Sequence, residues 1–352
     1  MKRTIFVLAL AVTACSGQRQ NFENVSAAPA ADDPFSVILF IGDGTGAAAW
    51  TAARFAAGRL SIDDMPVAGT TNTEASDSRV TDSAAGATAY ATGVRTFNGA
   101  IGVRPDSSPV ETVLEVAEVR GMATGLIATS TITHATPASF AAHQPSRQMH
   151  DEIAADMAEA GVDVLLGGGK KYFDPRARSD GRDLLSRVVN GGAYVETAAA
   201  FRALALDTVE TLVGFFAEDN PSVAAERDPS LPELTRGALE VLSRNEDGFF
   251  LMVEGSQIDW RAHDNAPLED VVAEVLDFDA AIAEALAYQR EHSNTLVLVV
   301  SDHETGGMAL QFDSTGAVIA RYTTTGHTGE MVPHFAAGPG AAAFAGVMEN
   351  YV

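Results

Sequence analysis

The chain has 352 residues, 46% of them hydrophobic and 20% charged, with 31 glycines and 14 prolines, a balance that excludes a collagen-like, disulfide-dense or wholly disordered polypeptide. Lys and Arg number 23 against 47 Asp and Glu, a formal charge of −24, so no cationic excess exists to displace counterions from a nucleic acid, and no nucleic-acid recognition domain is expected. Such acidity favours divalent cations instead.

In chain order, Met1-Lys2-Arg3 is a cationic start, followed by an apolar run over 5–12 and small residues before Cys15. This is the pattern of a signal peptide, and the run is too short to span a bilayer, which takes about 20 residues. Val12-Thr13-Ala14-Cys15 resembles a bacterial lipobox, and the only cysteine of the chain stands where the lipid would be attached. A lone thiol closes no intramolecular disulfide. The reading is a signal peptide over 1–14, a polar Ala/Pro-containing tether over 15–34 and one folded domain over 35–352, exported and either periplasmic or anchored at the outer membrane through lipidated Cys15.

From Phe35 onward, short apolar runs alternate with longer amphipathic stretches, which predicts an α/β three-layer sandwich: a central, mostly parallel sheet flanked by helices. Candidate strands are 36–41, 123–128, 162–166, 249–253 and 295–300, continuous apolar runs of the kind covered on both faces. Candidate helices are 111–120, 151–160, 231–243 and 268–291, with apolar positions three or four apart, and the Ala-rich stretch from Ala84. Residues 170–225 are polar and weakly periodic, and read as a peripheral insertion.

Four of the five strand runs lead into chemistry-bearing residues: Asp43 after the first, His134 and Thr136 after the second, Glu254 and Asp259 after the fourth, Asp302-His303 after the fifth. Ligands of open α/β sheets bind beyond the carboxyl ends of strands, so these clusters can converge. Asp302-His303 offers hard and borderline donors to a divalent metal. Asp259 and His263 are four apart and share a face if that segment is helical. Singly, each pair also fits an ordinary surface turn or solvated helix face. Ile41-Gly42-Asp43-Gly44-Thr45-Gly46 lacks the third glycine of a dinucleotide fingerprint in register and carries an Asp where a pyrophosphate would approach, so that reading is rejected. Thr81-Asp82-Ser83 precedes the Ala-rich helix; Asp and Ser there suit a plain N-cap, and equally a serine at a helix N-terminus that would receive a phosphoryl group. Arg147 has the fork geometry to clamp two phosphoryl oxygens.

Together, Asp43 in its turn, Thr81-Asp82-Ser83-Ala84-Ala85, Thr133-His134-Ala135-Thr136-Pro137 with Arg147, Val253-Glu254-Gly255-Ser256-Gln257-Ile258-Asp259 with His263, Ser301-Asp302-His303 and Thr325-Gly326-His327-Thr328 resemble bacterial alkaline phosphatase, and in its order. The resemblance runs from about Phe35 to the C-terminus. It implies a phosphomonoesterase of broad specificity acting at alkaline pH through a phosphoserine at Ser83, with Arg147 on the non-bridging oxygens. It further implies one zinc on Asp259, His263 and His327, a second on Asp43, Asp302, His303 and Ser83, and a magnesium on Asp43, Thr136 and Glu254.

Two positions depart from the commoner family pattern. His134 stands where some members carry an Asp beside the magnesium, and is expected to alter the metal preference of that site. Trp260 stands where many carry a basic residue near the phosphate, and is expected either to weaken phosphate binding or to be a packing residue at the rim. The stretch between His303 and His327 is short, which implies an open site and, for any homodimer, an interface formed differently. His143, His150, His292 and His334 match no ligand position and are expected in surface or loop roles. The competing readings are a phosphodiesterase on the same metal scaffold and a lipoprotein that binds metal or phosphate without turnover. A sulfatase is excluded, because Ser83 is followed by Ala84, Ala85, Gly86 and Ala87 rather than by the Pro and Arg its modified nucleophile needs.

Overall fold

The computed structural model describes residues 34–351; the expected signal peptide, Cys15 and nearly all of the expected tether lie outside them. The five predicted strands form as β1 (Ser36–Gly42), β3 (Ala123–Thr131), β4 (Val164–Gly168), β7 (Phe249–Gly255) and β8 (Thr295–Val300). With β2 (Val67–Asn72), β5 (Ala193–Val195), β6 (Leu212–Phe215), β13 (Val332–Ala337) and β14 (Gly346–Glu349) they make a ten-stranded sheet in the order β14-β2-β13-β8-β1-β7-β3-β4-β6-β5. Only β13 runs antiparallel to its neighbours β2 and β8; the remaining pairings are parallel. Two small ladders lie outside the sheet: β9 (Glu304–Thr305) with β12 (His327–Thr328), and the hairpin of β10 (Ala309–Phe312) and β11 (Val318–Arg321).

Side chains alternate across a strand, so β1 divides its apolar run between two cores. Ile38 and Phe40 face a layer built on α1 (Ala47–Ala57), α8 (Leu231–Leu242) and α10 (Leu268–Glu291). Leu39 and Ile41 face α2 (Ser83–Thr92), α3 (Val113–Val119), α4 (Ala135–Ala141), α5 (His150–Met157) and α6 (Leu184–Val189). Both faces are therefore covered, as continuous apolar strands require. The starts of two helices are legible as caps: Asp82 accepts a bond from Ala85 N, and Thr112 with Glu115 forms a reciprocal capping box.

One expectation is corrected. Residues 170–225 are not peripheral to the sheet, since they supply β6 and β5 at its edge, with α7 (Ala198–Arg202) between them. Edge strands of three or four residues carry too little apolar periodicity to stand out from a polar background.

Register fixes the height of the residues beyond the strands. Ile41 pairs with both Glu254 and Val300, and Glu254 pairs also with Ala128. Asp43 and Asp302, each two residues further on, therefore emerge at one level, just above Glu254.

Phe278 of α10 is fully buried, with its ring 5.8 Å from Phe40 and 6.0 Å from Trp50. Phe278→Ala is expected to cost about 3–5 kcal/mol, the range for removing a buried aromatic ring and leaving its cavity. Equilibrium urea unfolding of the variant against wild type measures this; a loss under 1 kcal/mol, about the scale of a surface substitution, would contradict the packing described.

Candidate metal centre

The four strands whose ends carry chemistry are neighbours in the sheet, in the order β8-β1-β7-β3. Asp302-His303, Asp43, Glu254 and His134-Thr136 are thereby brought to one place. Asp43 lies in the turn after β1, where Gly44 takes φ +66° and a Cβ would stand 2.7 Å from Thr305 Oγ1 and 2.8 Å from Asp259 Oδ1. Only glycine allows that approach. Asp302 is held by both the β1 turn and its own loop, with Oδ1 accepting from Gly44 N at 3.1 Å and His303 N at 3.0 Å.

Asp259 and His263 lie on α9 (Gln257–His263), one helical turn apart, so the face inferred from their spacing exists. His327 arrives on β12, whose ladder sets His327 opposite Thr305 and Thr328 opposite Glu304. Three groups of donors result, in each of which the candidate ligand atoms lie within 4.8 Å of one another: Asp259, His263 and His327; Asp43, Asp302 and His303; Asp43, Glu254 and His134.

Hydrogen bonds on the outer sides of the rings orient the imidazoles. His263 Nδ1 meets Thr325 O at 2.5 Å and His327 Nδ1 meets Thr81 O at 2.8 Å, so each Nδ1 carries the proton and each Nε2 turns inward, 3.1 Å from the other. His303 Nδ1 is 3.1 Å from Thr305 Oγ1, which also donates to Asp259 Oδ1 at 2.5 Å. Second partners of this kind fix ring orientation in metal sites, and Thr305, joining two of the groups, was invisible in sequence as one threonine among many.

Ser83, the first residue of α2, is 2% exposed, with Oγ 3.2 Å from His303 Nε2 and 3.4 Å from Asp43 Oδ1. The helix behind it is almost wholly small and buried, and a Cβ on Gly86 would stand 3.0 Å from the Asp302 carbonyl oxygen. Arg147 is half-buried, bonded to Asp82 Oδ2 and His134 Nε2, each at 3.1 Å. Each terminal nitrogen keeps a further N–H for a ligand. His134 in turn meets the Trp260 ring edge-on at 5.9 Å.

The electrostatics of the cluster call for cations. Burial, then repulsion from Asp302, Asp259 and Glu254, drives the Asp43 carboxyl well above its usual range. Burial lifts Glu254 to about 7 and Asp302 to about 6, and depresses His134 to about 3 and His303 and His327 to about 4. For Asp259, burial is outweighed by the hydrogen bond and charge of His263 and the charges of His303 and His327, and its carboxyl falls well below the usual range. Buried Asp43 Oδ2, His134 Nδ1, Thr136 Oγ1, Glu254 Oε1 and Asp302 Oδ2 have no hydrogen-bond partner. Orphaned donor atoms of this density are uncommon in folded proteins, and a ring of them fits divalent metals.

The four other histidines diverge. His292 is exposed, and His143 and His150 are half-buried, but His334 is 2% exposed, bonded to Thr71 Oγ1 and Phe344 O. The surface role expected of it is wrong: β13 is interior, and both ring nitrogens are satisfied by neighbours that no local pattern announces. The short stretch after His303 folds into the small ladders, leaving the His263 side chain 36% exposed.

A covered α/β sheet with several candidate divalent-metal groups gathered at adjacent strand ends around a helix-borne serine defines an α/β protein built around a metal centre. The sequence model of the alkaline phosphatase family matches residues 36–321, and the chain belongs to that family. Alkaline phosphatase 4 of Bacillus subtilis is 43% identical over 243 residues, which are 66% of this chain and 51% of that protein. The alkaline phosphatase of Escherichia fergusonii is 32% identical over 393 residues, covering 90% and 83%. Among solved structures, the alkaline phosphatase of the Antarctic bacterium TAB5 superposes with a TM-score of 0.84 at 37% identity, covering 91% of this chain and 95% of that one. A histidine-to-aspartate variant of the Antarctic enzyme is described with Mg bound in its M3 site. The chain spans about half to two-thirds of the length of the first curated relatives it matches.

His263 is lifted to about 9, chiefly by its hydrogen bond to Asp259. A folded-state value above the unfolded one of about 6.5 gives stability that is complete below that pH and lost as pH rises towards 9. Glu254, with its raised value of about 7, acts in the same direction up to its own titration, whereas the depressed histidines act only below about 6.5. Protein stripped of metal is therefore expected to lose Tm between about pH 6.5 and 9, and zinc-loaded protein is not, because a cation replaces the proton. Thermal unfolding of chelated and reloaded samples decides; a flat or rising Tm in the stripped form would contradict the assignment.

Proposed function

We propose that the chain hydrolyses phosphate monoesters to an alcohol and inorganic phosphate at alkaline pH, through a phosphoserine at Ser83, with two zinc ions and one magnesium per chain. The observation that carries this reading is the place of Ser83 Oγ, 3.2 Å from His303 and 3.4 Å from Asp43, directly after the Asp82 that holds Arg147. Asp259, His263 and His327 would hold one zinc, and Asp43, Asp302 and His303 the second. Asp43, Thr136 and Glu254 would hold magnesium, an oxygen set suited to that ion; His134, whose Nε2 accepts from Arg147, presents an Nδ1–H beside them and would tune the pocket from its rim.

Bound there, the metals supply Lewis acidity that lowers the pKa of a hydroxyl and offsets charge on the attacking and leaving oxygens. The residues of the chain do the positioning and bond-making. Ser83 Oγ, losing its proton, attacks phosphorus; the P–O bond to the alcohol breaks, and the alcohol leaves with a proton. Water then cleaves the Oγ–P bond, giving free serine and phosphate. Arg147, with its free N–H groups, neutralises two non-bridging oxygens. Alkaline operation follows from the need to ionise Ser83.

The cationic start, apolar run and Val12-Thr13-Ala14-Cys15 support export and attachment through Cys15, with the domain from Phe35 as the catalytic unit.

With an aryl phosphate, purified protein is expected to turn over, to stop on chelation, and to prefer the monoester to a diester. Ser83→Ala should lose roughly a thousandfold or more in kcat, as nucleophile deletions do. A variant as fast as wild type would end the covalent mechanism, and a faster diester rate would favour the phosphodiesterase reading. Trp260→Lys, adding a cation at the rim, is expected to tighten inhibition by inorganic phosphate; an unchanged inhibition constant would assign Trp260 to packing.

A further inference from the structure

Around Glu254 lies a set of buried hydroxyls to which neither the ligand groups nor the reaction assigns a part. Ser130, near the end of β3, and Ser256, just after β7, are both fully buried. Ser256 Oγ donates to Ser130 Oγ at 3.0 Å, and Ser130 Oγ lies 3.4 Å from Glu254 Oε2. The other carboxylate oxygen, Oε1, has no partner, and neither do Asp43 Oδ2, Thr136 Oγ1 or His134 Nδ1. His134 Nδ1 is 3.9 Å from Oε1. One oxygen of Glu254 is thus tethered and the other is left for the pocket.

We propose that Ser130 and Ser256 are positioning residues for the third cation pocket: a two-hydroxyl relay fixes Glu254 Oε2 and thereby aims Oε1 at the cation. The inference rests on reading the group of Asp43, Thr136 and Glu254 as a cation site. Ser130 has one proton and two acceptors in reach, Glu254 Oε2 and the Thr131 carbonyl at 3.1 Å. An ionised carboxylate is the stronger acceptor, and the bond donated by Ser256 polarises the Ser130 hydroxyl towards it. The backbone does not depend on the relay. Ser256 N donates to Thr129 Oγ1 at 2.8 Å and Gln257 Nε2 to the Thr129 carbonyl at 2.8 Å, so the turn that carries Glu254 stays docked on β3 when either serine hydroxyl is removed. Among the described residues, the hydrogen bonds of the two hydroxyls reach only Glu254, the Thr131 carbonyl and each other, and no donor of the other two groups, so their effect is centred on one cation of the three.

The test uses the full protein, stripped and reloaded with zinc, then titrated with magnesium. Bound metal is counted after dialysis by elemental analysis, and Tm is followed against magnesium concentration. Ser130→Ala is expected to weaken magnesium binding about tenfold or more, the scale of losing an outer partner of a metal ligand, with zinc content unchanged. Ser256→Ala should weaken it less. The double variant should bind as Ser130→Ala does, because removing the second member of a relay adds nothing once the first is gone. Magnesium titration of Ser130→Ala that superimposes on wild type overturns the inference, as does an equal loss of zinc, which would mark general loosening. Wild-type protein that takes up zinc but no third cation overturns the reading of the pocket and this inference with it.

Discussion

Asp43, Glu254, Asp259 and Asp302 are buried within electrostatic reach of one another, and among the described residues no lysine or arginine enters the cluster except Arg147 at its edge. Ionised carboxylates in a low-dielectric setting repel strongly, and several kcal/mol per ion is lost in leaving water. The fold accommodates this by interleaving imidazoles whose Nε2 atoms face the carboxylates and whose Nδ1 atoms are tied to backbone or hydroxyl oxygens. What holds the cluster is therefore the backbone beneath it together with the cations it is shaped to receive.

The backbone can do so because of strand order and register. Adjacent parallel strands ending level with one another put residues from positions 43, 254 and 302 within a few ångströms without any loop reaching across the molecule. The parts that are not on strand ends come from short, rigid pieces: a helix N-terminus for Ser83, a two-turn helix for Asp259 and His263, a two-residue ladder for His327. Arg147, the partly exposed member, sits on a loop and is steadied by Asp82 and His134. Charge recognition is thus left to the adaptable element and metal geometry to the stiff ones, a division that suits preorganisation.

Much of this was legible in the sequence. Five continuous apolar runs announced the contiguous block β8-β1-β7-β3-β4, though not the interior antiparallel β13, and the residues after four of them announced the cluster, because burial on both faces leaves only apolar side chains in the run and concentrates polarity at its end. The i,i+4 spacing of Asp259 and His263 was informative only together with the other segments. The edges of the sheet were not legible: β5, β6 and β14 are three or four residues each, and β2, Val-Ala-Gly-Thr-Thr-Asn, has neither alternation nor a run. The burial of His334 is not legible locally, because it is set by Thr71 on another strand and by the Phe344 carbonyl of the following turn. The supporting hydroxyls of Thr305, Ser130 and Ser256 escaped notice for the same reason, as serine and threonine are common and their bonds here cross between elements.

The nucleophile helix has one consequence beyond its helical propensity. Ala84, Ala85, Gly86, Ala87, Ala89 and Ala91 are all buried, and Gly86 rides against the Asp302 backbone. Their small size sets how closely the helix approaches α4 and the Asp302 loop, and hence the height at which Ser83 meets the cluster. A single added methyl group on the inner face would lift the serine away without touching any group that takes part in the chemistry. Sequence drift in this helix is therefore coupled to turnover through bulk alone, and the stretch should be among the least forgiving of substitution in the molecule although it carries almost no functional groups.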